Sequence, residues 1–270
     1  MDSLSPASYE PDRRLNAKVL RRLTQWRTAL PLDATPDRAI VTFTFDDFPK
    51  SAARIGASIV ERIGGKATFY ACSGVMGRAN ATGDQYTNND LAALQASGHE
   101  IGAHTHNHID CWRTPPGEVL ADIDQNLQKL EEMGVSTPIR QFAYPYGETQ
   151  FALKQALIGK FRAARGILPG VNRKGSDLMQ LRALELDREP TSTDRAIATI
   201  EAAARNPGWV ILFTHDVADW PSPFGIKTRD LERIAQRVQD AGAAVLSMTE
   251  ALDQLQRSTE QPTKQPAPSG

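Results

Sequence analysis

The stretch AIVTFTFDD, residues 39–47, carries the reading of the fold. Its first seven residues hold no charge and are rich in β-branched and aromatic side chains, the composition of a strand, and two adjacent carboxylates end it. Further β-rich runs follow at KATFYA (66–71), HEIGA (99–103), RQFAY (140–144) and WVILFT (209–214). The stretches between them have helical patterning, over 49–63, 89–97, 116–133, 149–159, 193–205 and 228–241. Strand and helix in alternation predict one α/β domain, a parallel sheet or barrel with helices outside, and no internal repeat is visible. Ligands in such folds sit beyond the carboxyl ends of the strands. The residues to inspect are therefore Asp46 and Asp47, His104 to His108, Tyr144 to Gly147, and His215 with Asp216.

With 270 residues, 40% hydrophobic and 23% charged, the chain can bury one large core. A net charge of -1 with scattered Lys and Arg provides no basic face, which argues against nucleic acid or an anionic membrane as partner and for a compact or neutral ligand. The only cysteines, Cys72 and Cys111, are too few for a disulfide scaffold and too far apart for a CxxC site, so they read as buried thiols. The N-terminus, MDSLSPASYEPDRRLNAKVL, has charges where a secretion signal needs an apolar run, and no segment has the length and apolarity to span a bilayer. As written, the chain reads as cytoplasmic. Residues 1–38 form an extension with a basic amphipathic helix expected over 15–30, residues 39–256 the main domain, and residues 257–270 a disordered tail.

The segment HEIGAHTHNH (99–108) superficially suggests the zinc-protease pattern HExxH, but Ala103 stands where the second ligand would be. His104 and His108 are four apart, and one turn or a tight loop brings both rings to one ion. His99 is then a structural histidine and His106 a loop residue. Asp46 and Asp47 repel one another unless a cation or a shared proton intervenes; as a bland alternative, one of them caps the helix after Pro49. One carboxylate with two imidazoles leaves coordination positions open, as catalysis requires, although the same triad also holds Fe(II) in oxygenases. In FAYPYGE the Tyr146 amide follows a proline turn and can donate to a developing oxyanion. His215 ends a strand and has the intrinsic pKa of a proton donor near neutrality, while Asp216 either orients it or caps the next segment. Trp112 and WPSPF (220–224) lie just past these residues and either line a sugar site or pack in the core.

In this order, TFDD, HTHNH, YPYG and ILFTHD resemble the motifs of the polysaccharide deacetylases, the NodB-homology group of carbohydrate esterase family 4, over residues 39–254. The resemblance implies a distorted, incomplete (β/α) barrel. It also implies a catalytic base at Asp46, metal ligands at Asp47, His104 and His108 with Thr105 in the hydroxyl position, an oxyanion amide at Tyr146 and a general acid at His215. The cofactor would be a divalent ion, Zn2+ foremost, with Co2+, Mn2+, Ni2+ or Fe2+ as alternatives. The substrate would be an amino-sugar polymer or oligomer that loses N-acetyl groups as acetate.

Two departures stand out. The family's arginine two residues before the motif proline is Ala143 here, with Arg165 or Arg182 as replacements, and its support for the acidic histidine is not evident, Asp187 being the nearest match. These departures keep two rivals in view: a hydrolase of a non-peptide C–N bond in a small amide, and a carbohydrate-binding pseudo-enzyme.

Overall fold

The computed structural model describes residues 23–260. Its strands are β1 (Ile40–Asp46), β2 (Thr68–Ala71), a rim hairpin of β3 (Ala79–Asn80) and β4 (Gly83–Asp84), β5 (Glu100–Ala103), β6 (Gln141–Ala143), β7 (Ala163–Arg165), β8 (Leu184–Glu185), β9 (Trp209–Thr214), the short pair β10 (Val217–Ala218) and β11 (Ile226–Lys227), and β12 (Ala244–Val245). The main sheet runs β7-β6-β5-β2-β1-β9-β8, with β12 added to β1, and every pairing in it is parallel. Leu184 and Glu185 pair with Leu212 and Phe213 on β9, while Leu181, just upstream, bridges Arg165 on β7. Residues 181–185 thus touch both edges of the sheet and curl it into a barrel. A single bridge rather than a ladder closes it, so the barrel is distorted and incomplete, as expected.

Alternation along β1 decides which side chains enter the barrel. Val41, Phe43 and Phe45 join the large cluster under the outer helices, and each such burial stabilises by roughly 1.5–3 kcal/mol. Ile40, Thr42, Thr44 and Asp46 take the opposite face, where the Trp209 indole donates to Thr42 Oγ1 at 2.8 Å and Thr44 Oγ1 donates to the Leu212 carbonyl at 2.9 Å. Asp46 is therefore the interior residue at the carboxyl end of its strand.

Helices stand at each of the six expected places, and five of them end within a few residues of expectation: Asn88–Ala96, Pro116–Glu132, Phe151–Leu157, Pro190–Arg205 and Thr228–Asp240. The sixth begins as a π-turn over Ala52–Gly56 and becomes α-helical at Ala57–Arg62. Gly56 lets that turn lie on the β1 side chains, since a Cβ there would sit 2.8 Å from the Phe45 ring. β7, β8, β12 and a helix over Met248–Glu260 were not expected.

That last helix passes the expected start of the tail at 257; residues 261–270 lie outside the described residues. So does the first part of the expected helix over 15–30, whose described portion is helical only over 23–26. Beyond it the described part of the extension packs against the main body. Leu32 and Ala34 are buried in the core, and the fully buried Lys154 ammonium donates to the carbonyls of Thr24 (2.8 Å) and Arg27 (2.7 Å) while pairing with Asp177 at 2.7 Å. Cys72 and Cys111 are buried free thiols. Among the described residues, no helix is long and apolar enough to cross a membrane.

Candidate functional site

The residues singled out after β1, β5, β6 and β9 meet at one mouth of the barrel. Asp47, His104 and His108 each offer a ligand atom, and these atoms all lie within 4.8 Å of one another. Donors bound to one zinc ion at about 2.1 Å span at most roughly 4.2 Å, so small side-chain adjustments complete such a set. His104 is anchored: its Nδ1 lies 2.8 Å from the Ala143 carbonyl, which makes Nδ1 the donor and leaves Nε2 for an ion. Burial drives the His104 pKa down to about 4, against the opposing pull of Asp46 and Asp47, so the ring is in its neutral, ligating form at neutral pH. His108 Nε2 stands 3.3 Å from Asp47 Oδ2, and the other Asp47 oxygen is buried without a hydrogen-bond partner. A buried carboxylate oxygen without a hydrogen-bond partner, beside two imidazoles, fits a cation, and these three residues would hold it.

Backbone strain marks the same place. Among the described residues, the non-glycine positions with positive φ are Asp47 (48°), Thr105 (60°), His108 (52°) and Tyr146 (58°), and all four are in the site. Such conformations cost of order 1–3 kcal/mol each and persist only when their surroundings over-determine them. At Gly74 the surroundings are visible: its amide donates to the His106 carbonyl at 3.0 Å, and a Cβ there would sit 2.3 Å from that oxygen. Tyr146, at the tip of the turn over Pro145–Gly147, sets its ring edge-on to His108, with centroids 4.7 Å apart.

Asp46 does not join the ligand set. Both its oxygens accept from Arg165 Nη2, at 2.6 and 2.5 Å, deep in the barrel, and the guanidinium stacks over Phe213 and Tyr70. Burial alone would raise the Asp46 pKa; Arg165, aided by His104 and His215, outweighs it and holds the carboxyl below its ordinary value. Of the two arginines considered as replacements, Arg165 occupies the position, whereas Arg182 donates to the Pro169 carbonyl. Arg165 comes from β7, a strand too short to read from FRAARGI.

His215 Nδ1 lies 3.3 Å from the Phe224 carbonyl, and His215 is within electrostatic range of the Asp46 carboxyl. Asp216 caps the following loop, accepting from the Ser222 amide (2.8 Å) and hydroxyl (2.5 Å), and does not orient His215. Asp187 accepts from the Glu189 amide at 2.9 Å, ahead of the Pro190–Arg205 helix, and is not the partner expected for His215. Burial, with Asp187 beside it, raises the pKa of Glu185, two residues earlier at the end of β8, which also lies within electrostatic range of His215 and Asp46. The strand period of two separates them, but β8 itself was not legible. His99 is structural, its Nδ1 accepting from the Ala67 amide at 3.0 Å, and His106 stays in the loop beside Ser73.

A family model described as polysaccharide deacetylase matches residues 33–158, a span that includes Asp46, Asp47, His104, His108 and Tyr146. Over that span the chain is similar to the polysaccharide deacetylases. Its fold is similar to that of the peptidoglycan deacetylase PdaC from Bacillus subtilis, at 19% identity over 83% of this chain and 95% of that one, with a TM-score of 0.52. A family 4 carbohydrate esterase from Streptomyces lividans is similar at 18% identity over 78% and 92%, with a TM-score of 0.52. A CE4-family pseudoenzyme from Bacillus anthracis is similar at 15% over 81% and 67%, with a TM-score of 0.55. These identities speak for the fold alone, the NodB-type barrel. No curated protein matches the sequence. Ala143 is buried in β6, and the guanidinium at Asp46 arrives from the neighbouring strand instead.

Proposed function

We propose that the protein is a metal-dependent hydrolase that removes N-acetyl groups from an amino-sugar polymer or oligomer and releases acetate. The observation that carries the reading is the division of labour between the adjacent carboxylates, Asp47 turned to the two imidazoles and Asp46 turned to Arg165. When bound, a divalent ion of the Zn2+ type supplies Lewis acidity toward an acyl oxygen and lowers the pKa of water. Asp46, kept ionised by Arg165, takes the proton of the attacking water. The Tyr146 amide, at the strained tip of its turn, donates to the oxyanion that forms on the acetyl carbon. His215 gives a proton to the departing amine, and acetate and a free amine result.

The test is acetate release from short N-acetylglucosamine oligomers by the zinc-loaded chain. Release is expected, and its abolition by a chelator together with restoration by added zinc ties it to the ion. An ion-binding chain that yields no acetate across a panel of N-acetyl sugars contradicts the substrate class and leaves the small-amide hydrolase standing. A chain that binds neither ion nor turns over supports the pseudo-enzyme.

Trp220, 92% exposed, sits on the loop that Asp216 and Ser222 fix directly after His215. An aromatic face there can cover the apolar face of a sugar ring, which contributes about 0.8 kcal/mol per methylene-sized group removed from water. Trp220→Ala is therefore expected to raise KM for oligomers roughly 2- to 10-fold with little change in kcat. An unchanged KM removes Trp220 from the sugar site.

A further inference from the structure

The helix Pro116–Glu132 enters none of the chemistry above, yet two of its side chains hold the loop that supplies both histidine ligands. Asp122, 9% exposed, accepts from the His106 amide at 2.6 Å, the Asn107 amide at 3.0 Å and the Asn107 side-chain amide at 2.6 Å. One turn along, fully buried Asn126 donates through Nδ2 to the carbonyls of Thr105 (2.6 Å) and Ala71 (3.1 Å) and to Ser73 Oγ (3.0 Å). Every residue between the two ligands is thus gripped from the same helix.

Those intervening residues decide whether the rings converge. Thr105 and His108 both adopt positive φ, a conformation that a β-branched residue avoids unless it is held there. His104 is fixed independently, by the end of β5 and by the Ala143 carbonyl. His108 reaches the site only by way of the loop. A carboxylate that takes two backbone amides on one oxygen makes charge-assisted bonds, stronger than neutral ones, and so is suited to hold a strained turn.

We propose that Asp122, supported by Asn126, is the positioning residue of the metal centre. It folds the loop so that His108 meets His104 and Asp47, and it thereby sets ion affinity without touching the ion. This rests on the reading of Asp47, His104 and His108 as the ligands.

The test compares Zn2+ affinity, by competition with a chromophoric chelator at neutral pH, in the wild-type chain and three variants. Asp122→Asn keeps the shape but sets its new amide against the Asn107 amide, and is expected to weaken zinc binding roughly 10- to 100-fold, the usual cost of losing a ligand's support. Asp122→Asn combined with Asn107→Asp restores a donor facing an acceptor at the same net charge, and is expected to recover most of the loss. Asp124→Asn, on the same helix with its exposed carboxylate paired to Lys160, is expected to bind as wild type. A purely structural role would lower thermal stability and leave the affinity of the folded protein where it was. Folded Asp122→Asn binding within about twofold of wild type therefore overturns the inference. Should Asp122→Asn fail to fold, Asn107→Ala removes only the side-chain bond; a smaller loss in the same direction supports the proposal and unchanged affinity overturns it. A wild-type chain that binds no zinc overturns the ligand assignment beneath, and the inference with it.

Discussion

Asp46→Asn is expected to lower the rate of acetate release by roughly 10²- to 10⁴-fold, the usual contribution of a positioned acid or base, while zinc binds as tightly as before. The first half follows from the proton: an amide of the same shape cannot accept one from water at neutral pH. The second half follows from geometry, because both Asp46 oxygens are engaged with Arg165 and the ligand atoms come from Asp47, His104 and His108. Measuring turnover and zinc stoichiometry on the same preparation separates the roles. Unchanged turnover with zinc in place would put the base elsewhere, and loss of zinc would make Asp46 a ligand.

Arg165→Met is expected to have two large effects, one on stability and one on pH dependence. Removing one partner of a buried ion pair typically destabilises by about 3–5 kcal/mol, because the other charge is left in a low dielectric. Asp46 and Arg165 are such a pair, with their side chains 6% and 0% exposed. In the wild type the Asp46 pKa lies below its unfolded value, so the pair's contribution is present above the unfolded carboxylate pKa and is lost as pH falls through the folded one. Without Arg165, burial becomes the dominant influence and pushes the Asp46 pKa above its unfolded value. The sign then reverses, and the variant loses stability as pH rises through the new pKa. The acid limb of kcat moves the same way, toward neutrality, since the base is protonated at higher pH. Urea unfolding and a pH–rate profile check both expectations; an acid limb that stays at its wild-type pH would show that Arg165 does not poise Asp46.

How much of this was legible in the sequence depended on the length of the elements. β1 and β9 are long, apolar runs, and five of the six expected helices begin and end close to where patterning put them, so the α/β architecture and the barrel mouth at which the candidate residues gather could be read. That Asp47, His104 and His108 come together could be expected because HTHNH is local, placing two imidazoles four residues apart on one loop. Arg165 was only one of two arginines in view: its strand is three residues long, and a buried guanidinium inside FRAARGI looks like surface. The placement of Glu185 near the site was not legible for the same reason, on a two-residue strand whose place is set by pairing with β9. The work of Asp122 and Asn126 was invisible as well. On a helical wheel they are polar residues on the buried face, and only the fold shows which loop they meet.

The central claim is that one cation is held by Asp47, His104 and His108 while Asp46 stays free of it. Anomalous scattering at the zinc edge, from crystals of the zinc-loaded protein, tests it most directly. The account predicts a single strong peak at the barrel mouth bonded to an Asp47 oxygen, His104 Nε2 and His108, with Asp46 still on Arg165. A peak coordinated by Asp46, or no peak within reach of the two imidazoles, would contradict it.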